Sequence, residues 1–224
     1  MLDKAYAHDQ AVLEARITLL GSFVVLDCET TGLTNPEVCQ FACIDATGYN
    51  FCTLVKPVAL IERGATAVHG ITNEMVSEAK SIDTYWTQVG SLRTSQKLIG
   101  YNLSYDIKAL SHSLRLKNIA FIPPKDNIFD VMLCYAAFRG DISPAYGTFK
   151  WHKLGEALMQ CNLIFDGVAH NALTDAHATL ALLRYIADQK TTWEAAIDII
   201  YGYCAWTDRF DDAVSKITYA RITK

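Results

Sequence analysis

Hydrophobic positions along this chain follow two spacings, one of helices and one of strands. Between residues 2 and 18 apolar side chains recur at mixed helical spacing around Val12, Ala15 and Leu19, which predicts a helix ahead of the main fold, and Gly21 punctuates it. Phe23-Val24-Val25-Leu26 is a short uninterrupted apolar run bounded by polar residues, the pattern of a central strand buried on both faces, with Asp27 at its end. Val38 to Ala46 and Tyr49 to Val55 flank Thr47-Gly48 and predict a hairpin, which Lys56-Pro57 closes off. The chain therefore begins with three consecutive strands.

Helical spacing returns over Ser81 to Leu92 through Ile82, Tyr85, Trp86 and Val89. A strand over Lys97 to Tyr101 precedes a helix over Ser104 to Leu116, and a strand near Asn127 to Asp130 runs into another helix. Gly140 to Gly147 reads as loop, and Trp151 to Cys161 and Leu173 to Ala187 as helices. Three strands, then alternating helix and strand, then helices predict an α/β fold with a mixed, partly antiparallel sheet flanked by helices. Beyond Gln189, Trp193, Ala196, Ile197, Ile200, Tyr201 and Cys204 form one helical stripe, and Phe210, Ala213, Val214 and Ile217 a second. Such stripes either pack back onto the core or offer a docking or dimer surface. The expected division is a helical extension over 1–20, a main domain over 21–189 and a second helical extension over 190–224.

Length and composition agree with one domain plus additions: 224 residues, 51% hydrophobic and 20% charged, without low-complexity tracts. Asp3, Lys4, Asp9, Glu14 and Arg16 interrupt any signal-peptide apolar region, and no uncharged span approaches the roughly 18 residues of a membrane helix. A cytoplasmic protein without a membrane association is expected. The seven cysteines are odd in number and mostly lie in apolar runs, as Cys43, Cys52 and Cys134 do, so they read as free thiols. Cys39 and Cys43 lack the second pair that a zinc site requires.

The chemistry resides in scattered polar residues: Asp27-Cys28-Glu29, Asp106, and the segment from His170 to Asp175. Asp27 and Glu29 occupy alternate positions, so they point the same way if strand geometry persists past Leu26. Asp106 and Asp175 each fall near a predicted helix start, where they would complete a cage of hard oxygen ligands suited to Mg²⁺ or Mn²⁺. Two such ions about 3.5 to 4 Å apart can clamp a phosphodiester, activating water on one side and neutralising the leaving oxygen on the other. His170 falls in a predicted loop, and its neutral imidazole could accept the proton of the attacking water. Asp130 reads instead as a cap of the helix that follows it.

Phe23 to Leu33, Gly100 to Leu110 and His170 to Asp175 match the three motifs of the DEDDh family of 3′-to-5′ exonucleases, and Val68-His69-Gly70-Ile71-Thr72 matches a further segment of it. Over residues 22 to 187 the chain thus resembles that family. The resemblance implies a ribonuclease H-like fold, two Mg²⁺ or Mn²⁺ ions on Asp27, Glu29, Asp106 and Asp175, His170 as general base, and release of nucleoside monophosphates from a 3′ end. It also implies that Thr30 and Thr31 lie beside the terminal nucleotide, that Leu33 wedges against its base, that Val68 and His69 line its pocket, and that Tyr105 stands near the substrate. On the residues alone, His69 reads equally as a core histidine satisfied by backbone. Cys28 and Tyr101 depart from the family, which more often has Thr or Ile, and His, at these places.

A net charge of −4 and an isoelectric point near 5.8 are unusual for a protein that grips a long polyanion. Two bound divalent cations would add +4 and bring the total to about zero, so the site meets nucleic acid only with its metals in place. A short footprint on single-stranded 3′ ends and a shallow salt dependence follow. The segment from Phe138 to Lys153 interleaves basic and aromatic residues, including Lys150 and Lys153; it is either a single-strand contact or a surface loop anchored by its rings. DNA proofreading, RNA 3′-end trimming, and a non-catalytic polymerase-accessory role remain as alternatives, with a DNA polymerase or a second copy as possible partners.

Overall fold

The computed structural model describes residues 3–86, 96–164 and 170–198. Helix α1 (Lys4–Leu20) starts at Asp3, whose carboxylate accepts the Tyr6 N–H, and ends at Gly21. It leads into strand β1 (Phe23–Thr30), followed by β2 (Val38–Asp45) and β3 (Asn50–Leu54). Three short helices come next: α2 (Arg63–His69), α3 (Asn73–Val76) and α4 (Ile82–Trp86). The latter half of the helix expected over Ser81 to Leu92 lies outside the described residues. Then come β4 (Lys97–Gly100), α5 (Leu103–Arg115), β5 (Ile128–Asp130), α6 (Val131–Arg139), α7 (Leu154–Gln160) and α8 (Ala172–Asp188). Residues 192–198 are helical, while the second C-terminal stripe, Phe210 to Ile217, lies outside the described residues.

The sheet order is β3-β2-β1-β4-β5. β1 and β2, and β2 and β3, are antiparallel; β1 and β4, and β4 and β5, are parallel. This is the mixed ribonuclease H-like sheet, with β1 at its centre and helices on both faces.

Strand β1 runs four residues past the apolar run, so Asp27 sits inside the strand rather than at its end. The polar side chains of Asp27, Glu29 and Thr30 hide this continuation from hydrophobic patterning, but β2 supplies the ladder partners across it. Alternation along β1 separates two cores. Phe23 and Val25 face one that includes Ala11, Val12 and Ala15 of α1 and Leu182, Leu183 and Ile186 of α8. Val24, Leu26 and Cys28 face the other, with Leu103, Ala109 and Leu110 of α5. Continuing the first series by twos gives Asp27 and then Glu29. The same device operates on α8, where Ala172, Asp175, Thr179, Leu182 and Ile186 follow the spacing of one helical stripe, its members other than Asp175 buried. The acids thus occupy the ends of otherwise apolar faces, where the core gives way to a cleft.

The described residues after α8 are bonded to α1. The Arg16 guanidinium donates to Glu194 and to the carbonyls of Ala187 and Gln189, and Asp9 accepts from the Thr192 N–H and hydroxyl. Thr191 and Glu194 bond reciprocally in a capping box at the start of helix 192–198. The first part of the C-terminal segment therefore packs back onto the body through α1.

Candidate active site

Gly100 at the end of β4 lets α5 approach β1: a Cβ there would lie 2.8 Å from the Leu103 side chain and 3.2 Å from the Leu26 carbonyl. Asn102 turns the chain through the left-handed region, at φ 58°, into α5. The Asp130 carboxylate accepts from the N–H groups of Asn102 and Leu103 and from Met132 N–H, so it caps α6 and clasps the start of α5 together. Asp106 then falls in the first turn of α5, buried, where its Oδ1 accepts the Cys28 N–H at 2.9 Å. That bond fixes the α5 carboxylate against the strand between Asp27 and Glu29.

Asn171 caps α8 by accepting from the Leu173 and Thr174 N–H groups, which puts Asp175 in the first turn. His170, just outside the helix, adopts φ 63°. One ligand atom from each of Glu29, His170 and Asp175 lies within 4.8 Å of the others. Like-charge proximity joins Asp27 and Asp106 to the same cluster, since Asp27 feels Asp106, Asp175 and Glu29. All five residues expected to carry the chemistry are therefore brought together.

Burial and mutual repulsion dominate this cluster. Burial, then Asp106, Asp175 and Glu29, push the Asp27 carboxyl well above the usual range. Burial raises Glu29 to about 7, with Asp175 adding to it. Asp106 is raised by burial against the opposing Cys28 N–H, and Asp175 is raised by burial while His170 counteracts part of the effect. Without a positive partner, four acids in so small a volume are poorly accommodated. The four carboxylates supply hard oxygen donors of the kind a divalent cation takes, and such a cation would offset their mutual repulsion.

On one side of the cluster the turn after β1 is tightly held. The Tyr105 hydroxyl donates to the Gly32 carbonyl at 2.9 Å and lies 2.8 Å from Thr30 Oγ1. Thr31 and Glu37 bond reciprocally, and the buried Glu37 carboxylate accepts from Val58 and Ala59 N–H. The His69 ring accepts the Ile71 N–H at Nδ1, so its proton resides on Nε2, which donates to the Thr30 carbonyl at 3.1 Å. Burial lowers the pKa of His69, partly offset by the Thr30 carbonyl and reinforced by His170. His69 is thus a neutral histidine with both nitrogens satisfied by backbone, while Leu33 and Val68 stand exposed nearby in sequence.

A cavity of about 750 Å³ adjoins the cluster, lined by His170, Asp175, Tyr101, Trp151, Lys153 and Met159, among others. The helix expected from Trp151 begins only at Leu154, after the extended N-cap residue Lys153, and residues 150–152 belong to no helix. Lys153 lines this cavity; Lys150 is exposed and does not.

Sequence reasoning missed Gln40 and Glu37. Gln40 pairs with Glu29 in the β1–β2 register, and its Oε1 accepts the Ala172 N–H, at the start of α8, at 2.9 Å. A polar residue within the apolar run Val38 to Cys43 was the available signal.

A fold and cluster of this kind define a nuclease of the DEDDh type, and the comparisons give the family. The exonuclease family model RNase_T matches residues 24–183, so this chain belongs to that family. It is 33% identical over 172 residues to an exonuclease of Escherichia phage 186, covering 73% of this chain and 87% of the relative. It is 30% identical over 180 residues to a DNA polymerase III subunit epsilon-like protein of Rhodobacter capsulatus, covering 75% of this chain but only 24% of that longer protein. Among solved structures, the nuclease domain of 3′hExo, a DEDDh family member bound to rAMP, superposes with TM-score 0.60 at 18% identity, covering 75% and 92% of the two chains. Exonuclease X in complex with 5′ overhanging duplex DNA gives 0.56 at 22%, covering 78% and 98%. Exonucleases of this family generally use divalent metals. Among the described residues no helix is long and apolar enough to cross a membrane.

Proposed function

We propose that this protein removes nucleoside 5′-monophosphates one at a time from single-stranded or frayed 3′ ends, with DNA as the favoured substrate. The observation that carries the reading is the convergence of Glu29, Asp175 and His170 within 4.8 Å, beside Asp27 and Asp106. Asp27, Glu29, Asp106 and Asp175 would hold two Mg²⁺ or Mn²⁺ ions. When bound, these supply charge neutralisation at the scissile phosphate and a more acidic attacking water.

His170 takes the proton of that water as its oxygen forms a bond to phosphorus. The bond from phosphorus to the 3′ oxygen of the preceding nucleotide breaks, and that oxygen takes a proton from solvent to leave as a new 3′ hydroxyl, while His170 later returns its proton to solvent. Thr30, Thr31 and Leu33 would contact the terminal nucleotide, in a turn that Tyr105 and His69 hold from behind. Val68 would line the same pocket. On this reading Tyr105 and His69 act through the turn rather than by stacking. Lys153 would meet a phosphate of the incoming strand, with Lys150 a more distant contributor.

Residues 21–189 would form the exonuclease domain, with 1–20 and 190–224 as extensions; the family match over 24–183 supports this division. Cytoplasmic residence fits the six free cysteines among the described residues. Likeness to an epsilon-like protein favours a proofreading role beside a DNA polymerase, and relatives named RNA exonuclease 4, such as that of Debaryomyces hansenii at 26% identity, support RNA trimming as the second reading. Parallel digestion of 5′-labelled single-stranded DNA, mispaired duplex DNA and single-stranded RNA tests the choice. Faster loss of the DNA 3′ ends is expected; faster loss of RNA would transfer the reading to RNA trimming.

A further inference from the structure

The cavity beside the carboxylates has a construction that the hydrolytic chemistry does not require. Its lining includes His170, Thr174 and Asp175 at the site and extends to Trp151, Lys153 and Met159; none of Thr30, Thr31, Leu33, Val68 or His69 lines it. The cavity therefore adjoins the site at His170 and Asp175 and is distinct from the β1 turn.

Residues 151–153 belong to no helix or strand, and Lys153 has an extended backbone at φ −71° and ψ 151°. Exposure alternates along the segment. His152 is buried at 4% exposure, while Trp151 on one side of it is 64% exposed and Lys153 on the other is exposed as well. The Tyr101 hydroxyl donates to the His152 carbonyl at 2.7 Å, which ties the segment to the end of β4. Gln160 Nε2 is 3.3 Å from His152 Nδ1, and Tyr135 packs edge-on against the ring at 5.7 Å. His152 thus anchors the segment and presents an indole and an ammonium together. Met159, 71% exposed, adds a polarizable apolar wall from α7.

We propose that this cavity is a stacking subsite for the base immediately 5′ of the scissile phosphate, with Trp151 as its platform and Lys153 on the adjoining phosphate. The proposal rests on the exonuclease reading above. A terminal nucleotide seated at the Thr30–Leu33 turn would place its 5′ phosphate at the carboxylates, and the cavity that begins at His170 and Asp175 would then receive the next nucleotide. A flat indole accepts every base, because each presents a π face, and a lysine contributes charge without sequence preference. A base engaged with Trp151 is unstacked from a duplex, so the subsite also makes single-stranded or frayed ends the required substrate form.

The test uses a 5′-labelled oligothymidylate and the same strand with an abasic tetrahydrofuran residue at the penultimate position. Binding is read by fluorescence anisotropy with Ca²⁺, and cleavage by KM and kcat with Mg²⁺. Trp151→Ala is expected to weaken binding and raise KM about tenfold on the intact strand, with kcat nearly unchanged. On the abasic strand it should have little effect, and Trp151→Phe should retain most of the wild-type affinity. Equal loss on both strands, or no loss on either, overturns the subsite. If the wild-type protein cleaves neither strand, the exonuclease reading fails instead, and the anisotropy comparison still decides whether Trp151 engages the penultimate base.

Discussion

Gln40 stands opposite Glu29 in the β1–β2 ladder and accepts the buried backbone N–H of Ala172, three residues before Asp175. One neutral side chain thereby connects β2, the ladder neighbour of the strand that carries two of the acids, to the helix that carries another. Replacing it with leucine leaves a buried N–H without a partner, a loss of about 1–3 kcal/mol. Gln40→Leu should show that loss in urea unfolding, together with weaker Mn²⁺ binding by calorimetry and a kcat reduced at least severalfold. Gln40→Met fills the same space without an acceptor and should show the same loss. If Gln40→Leu binds Mn²⁺ as the wild type does, the position has no part in arranging the site.

The carboxylate cluster favours function over stability. Asp27 is half-buried among three other acids, so Asp27→Asn removes repulsion as well as a proposed metal ligand. Without metal, this variant should melt a few degrees higher than the wild type. Adding Mn²⁺ should raise the melting temperature of the wild type and leave that of the variant much less changed, while activity is lost. A variant that melts lower than the wild type in EDTA would show that repulsion is not what the metals relieve.

The two lysines differ in position, and their variants should differ in the same way. Lys153 lines the cavity next to His170 and Asp175, and Lys150 does not. Lys153→Ala should raise KM with kcat nearly constant and reduce the log-log salt slope of binding by about 0.7. Lys150→Ala should do less on both counts. Equal effects would indicate a diffuse basic surface instead of a defined strand path.

His152 supplies a pH dependence. Burial holds its pKa below the ordinary histidine value, reinforced by Lys150, while Asp141 at 3.5 Å and Glu156 at 4.0 Å counteract this and Arg139 adds to the depression. Tyr135 is the remaining ring packed on it. A depressed folded-state pKa means that the folded protein resists protonation at this ring more than the unfolded chain does. Its contribution is fully present above the unfolded value of about 6.5 and is lost as pH falls through the folded value. Stability of the wild type should therefore decline more between pH 7 and 5, the range of about 6.5 and below, than that of His152→Gln, as followed by urea midpoints. Parallel declines in the two proteins would contradict the assignment.

Much of this architecture was legible because the acids obey the periodicities of the elements that carry them. Phe23 and Val25 predict where Asp27 and Glu29 point, and the helical register of Leu182 and Ile186 predicts the same for Asp175. Less legible were contacts whose partners are far apart in sequence. Gln40 meets Ala172 across 132 residues, and the Arg16–Glu194 pair spans 178. No local spacing records either. Strand β1 was read too short because its last residues are polar, and hydrophobic patterning does not register a strand whose side chains serve a site. Asp130 was readable as a helix cap, whereas its bonds to Asn102 and Leu103 depend on β4 and β5 being neighbours.

The central claim is that four acids and His170 perform 3′-to-5′ hydrolysis one nucleotide at a time. It is tested most directly by following a single-stranded oligonucleotide labelled at its 5′ end, with Mg²⁺ or Mn²⁺, while quantifying released mononucleotides, for the wild type and for Asp175→Ala. A ladder shortening from the 3′ end with 5′-mononucleotide product, absent with Asp175→Ala, is the predicted result. Internal fragments, or identical traces from the two proteins, would contradict it.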